Sequence, residues 1–316
     1  MEILITTGNF SNYLVPNFYN LLLELEKHAT IHLWHQPGDI NDIIRHLKIK
    51  PDIVFINEYA ETNCPKVTGL ETLTIPYALL LYDLHYQVEA RSQAIQQLKP
   101  QYIFTLYRDR FKQWYPDYQG TMYWFPHHVN INVFKDYELP KDIDYLLMGD
   151  VHQRVYPLRY KILQQMQDKP GFYYHPHPGW RNFTVEERSN LYIGEKYARE
   201  INRAKLFFTC DSIYKYPLLK YFEVLACKSL LLAPDSSELT DLGFISGVNF
   251  VAINEYDFEE RAAYYLSHEQ ERLQIAEQGY EMVRALHSTE KRAIDMVNIF
   301  KEILSTSPGA SALLED

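Results

Sequence analysis

Cysteine is scarce: there are three, Cys64, Cys210 and Cys227, among 316 residues. They are too few and too scattered for a disulfide framework or a zinc ribbon, and they read as reduced residues in or near the core. No uninterrupted apolar run is long enough to span a bilayer. Met1-Glu-Ile-Leu-Ile runs directly into a strand, without the basic, apolar and small-residue order of a secretory leader. The expectation is a cytoplasmic protein with no integral membrane segment. Basic charge is also in deficit, 31 Lys and Arg against 41 Asp and Glu for a formal net charge of -10, which disfavours a large nucleic-acid interface and leaves room for one local basic patch. Metal-ligand clusters are missing as well. His127 and His128 are adjacent and project apart, and His175 and His177 flank a proline with neither cysteine nor acid close by. No metal and no cofactor is expected.

What is present is alternation. Apolar strands are predicted at Glu2–Thr6, Ile31–Trp34, Asp52–Asn57, Tyr77–Tyr82, Tyr102–Leu106 and Met122–Phe125. Helical patterns separate them at Asn17–Lys27, Ile40–Leu47, Gln87–Leu98 and Asp109–Trp114. The pattern pauses at Pro126-His-His-Val-Asn-Ile-Asn-Val-Phe-Lys-Asp-Tyr137 and restarts with a strand at Ile143–Met148. The class is α/β, with two Rossmann-like domains of parallel sheet covered by helices. The domains are placed at 1–128 and 138–288, with a linker over 129–137, a last helix over 289–304 and a disordered tail over 305–316. Ligands of such folds collect at the carboxyl ends of the strands and in clefts between domains.

The second half is organised around Tyr214 to Asp235. Pro217 is placed to start a helix whose apolar face is Leu218, Leu219, Phe222, Leu225 and Ala226, and Ser229–Ala233 follows as a strand buried on both faces. Glu223 would lie about two turns along that helix. Free N–H groups at the helix start attract phosphate, and a carboxylate further along can accept hydrogen bonds from the hydroxyls of a ribose. That outlines a nucleotide-sugar site; the competing reading is an ordinary surface glutamate on an amphipathic helix. Gly149 and Arg154, at the turn after Ile143–Met148, suit a diphosphate by close backbone approach and by a bidentate guanidinium.

Other candidates are weaker motifs. Gly8, after the first strand, either admits a ligand to the backbone or simply makes a tight turn. Asp83 and His85 follow the strand ending at Tyr82; either could take a proton from a hydroxyl, or Asp83 could cap the next helix. His175 and Trp180 bracket Pro176-His-Pro-Gly, a rigid turn that could line a nucleobase pocket or cap the core. Most of the 26 tyrosines are packing residues.

The run Lys220-Tyr-Phe-Glu223-Val-Leu-Ala-Cys-Lys-Ser, with Glu238-Leu-Thr-Asp-Leu, Gly247-Val-Asn-Phe-Val and Ala276-Glu-Gln-Gly279-Tyr, resembles the C-terminal domain of GT-B glycosyltransferases. It is most similar to the CgeB-type spore-protein group. The likeness extends to Asn202-Arg-Ala-Lys, to the Asp144–Arg154 strand and loop, and to Val129-Asn-Ile-Asn-Val-Phe134; the N-terminal half matches in layout alone. The resemblance implies GT-B architecture with an interdomain cleft and a last helix crossing back to the N-terminal domain. It implies a metal-independent transferase moving a sugar from a nucleotide donor, a UDP-sugar foremost, to a hydroxyl of a carbohydrate, glycoconjugate or small molecule. In that scheme Glu223 holds the ribose, Lys215, Tyr216, Leu218, Leu219 and Lys220 meet the diphosphate with Gly149 and Arg154, and the N-terminal domain binds the acceptor. The pattern departs at Lys215, where many retaining members carry a glutamate, and at Lys228, where glycine is common. Two alternatives stay open: a catalytically weak nucleotide-sugar-binding protein of a spore or cell-surface assembly, and a nucleotide-sugar epimerase of the same fold.

Overall fold

The computed structural model describes residues 1–58 and 65–306. Cys64 and positions 307–316, which hold most of the expected tail, lie outside the described residues. The chain divides into two compact units. The first comprises Met1–Ser11, Phe18–Pro126 and the chain from Arg292 on; the second comprises Asn12–Asn17 and His127–Lys291.

In the first unit the elements run Glu2–Thr6 (β1), Asn17–Leu25 (α1), Thr30–Trp34 (β2), Gly38–Asp39 (β3), Ile40–Leu47 (α2), Ile53–Asn57 (β4), Val67–Thr68 (β5), Tyr77–Leu81 (β6), Val88–Leu98 (α3), Tyr102–Thr105 (β7), Arg108–Trp114 (α4) and Thr121–Trp124 (β8). Six strands form one sheet in the order β2-β1-β4-β6-β7-β8. Every pairing in it is parallel, Ile3 lying opposite Ile31 on one side and Ile53 on the other. The apolar runs of β1, β4 and β6 are buried along nearly their whole length, as a sheet covered on both faces requires. The minor strands β3 and β5 pair separately, a detail the apolar pattern does not signal.

The second unit contains Ile143–Met148 (β9), Pro157–Met166 (α5), Phe172–His175 (β10), Val185–Asn190 (α6), Glu195–Arg203 (α7), Ala204–Phe208 (β11), Leu219–Ala226 (α8), Leu230–Ala233 (β12), Ser237–Asp241 (α9), Val251–Ala252 (β13), Phe258–Ser267 (α10) and Glu269–His287 (α11). Its sheet is parallel in the order β10-β9-β11-β12-β13. Residues 12–14 join this unit by pairing with 181–183, through Tyr13 opposite Asn182 and the Leu14 N–H on the Arg181 carbonyl.

Two elements depart from expectation. α8 begins at Leu219, not at Pro217: Lys215 turns the chain at a φ of 60° and Leu218 stays extended, so helical hydrogen bonding starts two residues later. Glu223 is therefore little more than one turn into the helix. The apolar residues of Val248–Ala252 predict a strand over that span, but β13 starts at Val251, because Gly247 at φ 78° and the Asn249 side chain, which accepts from the Ile245 N–H, hold the preceding residues in a turn.

The last helix, Thr289–Thr306 (α12), returns the chain to the first unit. Its Ala293, Met296, Val297, Phe300 and Ile303 recur at helical spacing and join the core built on β1, β4, β6 and α1. The Phe300 ring meets Phe55 and Phe104 edge-on at centroid distances of 5.6 and 5.8 Å. Phe300→Ala should therefore destabilise the chain by about 3–5 kcal/mol in urea unfolding; a change below about 1 kcal/mol would mean that α12 does not share that core.

Candidate functional site

An open parallel sheet offers a ligand its crevice where the strand order reverses, since neighbouring connections there leave in opposite directions. In the second unit that point lies between β9, with β10 on its other side, and β11. The loops leaving it are Gly149-Asp150 and Thr209-Cys210-Asp211. Arg159, on the buried face of α5, clips them together: Nη1 donates to the Asp150 carbonyl and Nη2 to the Cys210 carbonyl, each at 3.2 Å. Its guanidinium also lies over the Tyr156 ring at 4.3 Å.

Gly149 is needed for its conformation. At φ 115° it sits where side-chain-bearing residues are rarely found, and a Cβ there would lie 3.0 Å from Cε of Lys220 and 3.3 Å from its Nζ. Lys220, the second residue of α8, is thus drawn over the first loop. One turn on, Glu223 is 5% exposed, so the surface-glutamate reading does not hold. Its Oε2 accepts from the Tyr197 hydroxyl at 3.3 Å, and the Lys220 Nζ stands 5.6 Å from the centre of the Tyr197 ring. Tyr197 is in turn braced edge-on by Phe134 at 5.8 Å, and the adjoining segment is tied to α7 by Asn202, which donates to the Lys135 carbonyl and accepts from the Tyr137 N–H. Burial raises the Glu223 carboxyl, with Lys220 opposing; burial and the nearby Arg159 lower the Lys220 ammonium. His177 belongs to the same neighbourhood. Burial, then Lys220, push its imidazole down to about 4, so it is neutral at pH 7.

The sequence-predicted residues divide accordingly. Gly149, Lys220 and Glu223 come together. Arg154 lies on an exposed turn, and the guanidinium that holds the loops is Arg159's, five residues along. Lys215 is 61% exposed and paired with Asp211 at 3.2 Å, while Tyr216 is buried against Tyr214. Leu218 and Leu219 supply the start of α8, where no side chain caps the free N–H groups. His175 and Trp180 do not converge. His175 bonds Glu200 at 2.9 Å and stacks on Tyr192, whereas Trp180, 65% exposed, lies against His177 at 4.6 Å.

In the first unit the order reverses between β1 and β4. There the Asn57 amide donates to the Thr7 hydroxyl at 2.8 Å and the Thr7 carbonyl contacts His35, fixing the approach to Gly8. Asp83 and His85 leave the end of β6. Asp83 does not cap α3, whose N-cap is Gln87. The loop is held by a buried ion pair: Glu58 accepts from the Tyr82 N–H and from Arg91 Nη2, both at 2.8 Å, and Arg91 Nη1 donates to the Asp83 carbonyl at 2.8 Å. The Tyr115 hydroxyl adds a bond to the Leu84 carbonyl at 3.2 Å. His85 rests edge-on against Trp114, with burial lowering its pKa and Asp83 opposing.

Comparison with known proteins bears on this geometry. A glycosyl transferase-like family model matches residues 158–298, the span carrying Arg159, Lys220 and Glu223. Sucrose-phosphate synthase from Thermosynechococcus elongatus aligns over 97% of this chain and 99% of its own at 13% identity, with a TM-score of 0.71. HepE from Anabaena, solved in complex with UDP, aligns over 95% and 99% at 8% identity and 0.65. A glycosyltransferase from Rickettsia africae aligns over 97% and 99% at 11% and 0.62. The fold is that of the GT-B glycosyltransferases. No curated protein matches in sequence. Among the described residues, no helix is long and apolar enough to cross a membrane.

Burial pushes the Glu58 carboxyl up to about 7 from an ordinary 4.5, against the pull of Arg91. Between those values the folded chain holds a proton that the unfolded chain has released, so this group's contribution to stability falls as pH rises from 4.5 to 7. Glu58→Gln should flatten that part of the urea-stability profile; an unchanged slope would show that Glu58 is already ionised at pH 5.

Proposed function

We propose that the chain is a glycosyltransferase that takes a sugar from a nucleoside-diphosphate donor, with a UDP-sugar as the leading choice, and passes it to an acceptor hydroxyl. The observation that carries this reading is the juxtaposition of a buried carboxylate, Glu223, with Lys220, Arg159 and a close-approach glycine at the strand-order reversal of the second unit. The family model covering 158–298 and the UDP bound by HepE support it.

In this reading the diphosphate lies over Gly149 and the uncapped start of α8. Lys220 and the helix N–H groups meet its charge, and Arg159 holds the cradle open. Glu223 accepts from the ribose hydroxyls, and a bound diphosphate beside Lys220 favours the charged ammonium that burial disfavours. For transfer, the acceptor oxygen forms its bond to the anomeric carbon as the bond from that carbon to the diphosphate oxygen breaks. The acceptor proton goes to His85, with Asp83 two residues away to stabilise the resulting imidazolium, and the nucleoside diphosphate leaves with its new charge on Lys220 and the backbone. His85 suits the base role because burial keeps it neutral. The scheme needs no metal at the diphosphate.

Two measurements test it. Saturating UDP should raise the melting temperature and bind equally well with or without EDTA; Glu223→Ala and Lys220→Met should each weaken UDP at least tenfold, while Arg154→Ala stays within about twofold. No stabilisation by UDP, TDP, GDP or ADP, or unchanged UDP binding in Glu223→Ala, would overturn the assignment. With donor and acceptor in hand, His85→Asn should lower kcat about 10²–10⁴-fold with UDP affinity intact, the range expected for a lost general base. Full turnover in that variant would remove His85 from the chemistry.

A further inference from the structure

The opposite edge of the second sheet, at the amino ends of its strands, carries a feature the donor site does not use. A cavity of about 330 Å³ is lined there by Lys141, Lys205, Lys228 and Arg272, with Leu230 and Ala276 on its apolar side. Lys141 lies just before β9, Lys205 in β11, Lys228 just before β12 and Arg272 in the first turn of α11. Gly149 and Cys210 leave the other ends of β9 and β11. Four cations on one wall stand out in a chain whose formal net charge is -10.

Three of the cations are balanced outward. Lys205 pairs with Asp144 at 2.6 Å, Lys228 with Glu277 at 2.7 Å and Asp136 at 3.3 Å, and Arg272 with Glu269 at 3.3 Å. Of these carboxylates only Glu269 reaches the cavity wall, and its side chain is 73% exposed. Lys141 differs. Its Nζ donates to the Lys228 carbonyl at 2.8 Å and to the Ser229 hydroxyl at 3.0 Å, and among the described residues it has no carboxylate partner. An ammonium has three protons, so one donor is left for the cavity. Burial lowers this ammonium to about 8, with Asp136 opposing and Lys228 and Arg272 adding a smaller push in the same direction as burial.

We propose that this cavity is a second anion site, distinct from the donor site, that takes a small phosphomonoester with its phosphate on Lys141 and its organic body against Leu230 and Ala276. The volume lies at the lower end of the range for small-molecule sites, which suits a compact metabolite better than a nucleotide. Phosphate would provide a charge for the third proton of Lys141, and Lys205 and Lys228 could each turn a proton inward while keeping their outward pairs, whereas Arg272, held by the Tyr265 and Leu266 carbonyls through Nη1, adds charge to the wall from a fixed position. An occupant would also touch the ends of the elements that carry the donor residues. Lys228 and Ser229 follow α8, and the Ser229 hydroxyl donates to the carbonyls of Ile201 and Ala204 at the end of α7.

The test is titration calorimetry on the full chain at low ionic strength with UDP present in excess, using glycerol 3-phosphate, inorganic phosphate and, as a neutral control, glycerol. Glycerol 3-phosphate should bind saturably at one site per chain, inorganic phosphate more weakly and glycerol not at all. Lys141→Met should weaken glycerol 3-phosphate at least tenfold with UDP binding unchanged. Should Lys141→Met fail to fold, Lys205→Gln serves instead, with weakening of about fivefold expected. Absence of saturable binding, binding indifferent to both substitutions, or displacement of the phosphomonoester by UDP would overturn the proposal. Failure of UDP to bind would count against the donor-site reading alone, since the same titrations of the parent chain and of the Lys141 and Lys205 variants, repeated without UDP, read the second site by itself.

Discussion

A guanidinium leaves water at a cost of several kcal/mol unless its donors find acceptors, and in the second unit everything near the strand-order reversal follows from how Arg159 meets that demand. The acceptors it finds are the carbonyls of Asp150 and Cys210, on the two loops that a reversed strand order would otherwise let diverge. By joining them, Arg159 sets the gap into which Lys220 reaches across Gly149. The cation that stabilises the loops also raises the local potential. It lowers the proton affinity of Lys220 and, as a smaller effect, of His177. Structure and electrostatics there are one arrangement, poised for a negative ligand that the protein itself does not supply.

The first unit solves the same geometric problem with the opposite bookkeeping of charge. Its loop after β6 is fixed by Glu58 and Arg91, a pair that is nearly fully buried and that also holds the Tyr82 N–H and the Asp83 carbonyl. A buried pair of this kind is weak evidence for added stability, because replacing both members by apolar residues is often neutral. What it does specify is position: with three consecutive residues, Tyr82, Asp83 and Leu84, held by backbone bonds, His85 has little freedom left. Asp83 stays exposed beside it. Burial disfavours the imidazolium of His85 and the neighbouring Asp83 carboxylate opposes that effect, so the imidazole is neutral at rest and has a counter-charge at hand when it takes a proton.

The fold was legible in the sequence because its determinants are local. Strands such as Glu2–Thr6 and Ile143–Met148 are largely apolar runs bounded by turn residues, and their limits are those expected. Elements without an apolar signature went unseen. The two-residue strands β3 and β5 lack one, and α6 announces itself only through the capping box of Thr184 and Glu187. The site was legible in part. Glu223 and Lys220 stand out because they interrupt an apolar helix. Arg154 drew attention by lying in the loop next to Gly149, but loop residues have no fixed direction, and the guanidinium that matters arrives from α5. The available sign was a charge on an apolar stripe: Arg159, Ile162 and Met166 recur at helical spacing and all are buried. His175 and His177 are equivalent in sequence, two residues apart across a proline. Only the third dimension separates them, by giving His175 a partner in Glu200 and leaving His177 beside Lys220.

The second basic cluster follows from the same physics read at the other end of the strands. A parallel sheet leaves its first N–H groups and last carbonyls at opposite edges, and helices pack back toward the amino edge with their C-terminal carbonyls exposed. Lys141 reaches the carbonyl of Lys228, just past the end of α8, as cations at helix C-termini commonly do. Were that its whole function, one lysine would be enough and a carboxylate beside it would cost nothing. Instead Lys205, Lys228 and Arg272 crowd the same 330 Å³, and their carboxylate partners, apart from Glu269, stand outside the wall. With those three cations balanced by their carboxylates, what is left over is the third proton of Lys141, a buried donor that a negative ligand in the cavity would satisfy.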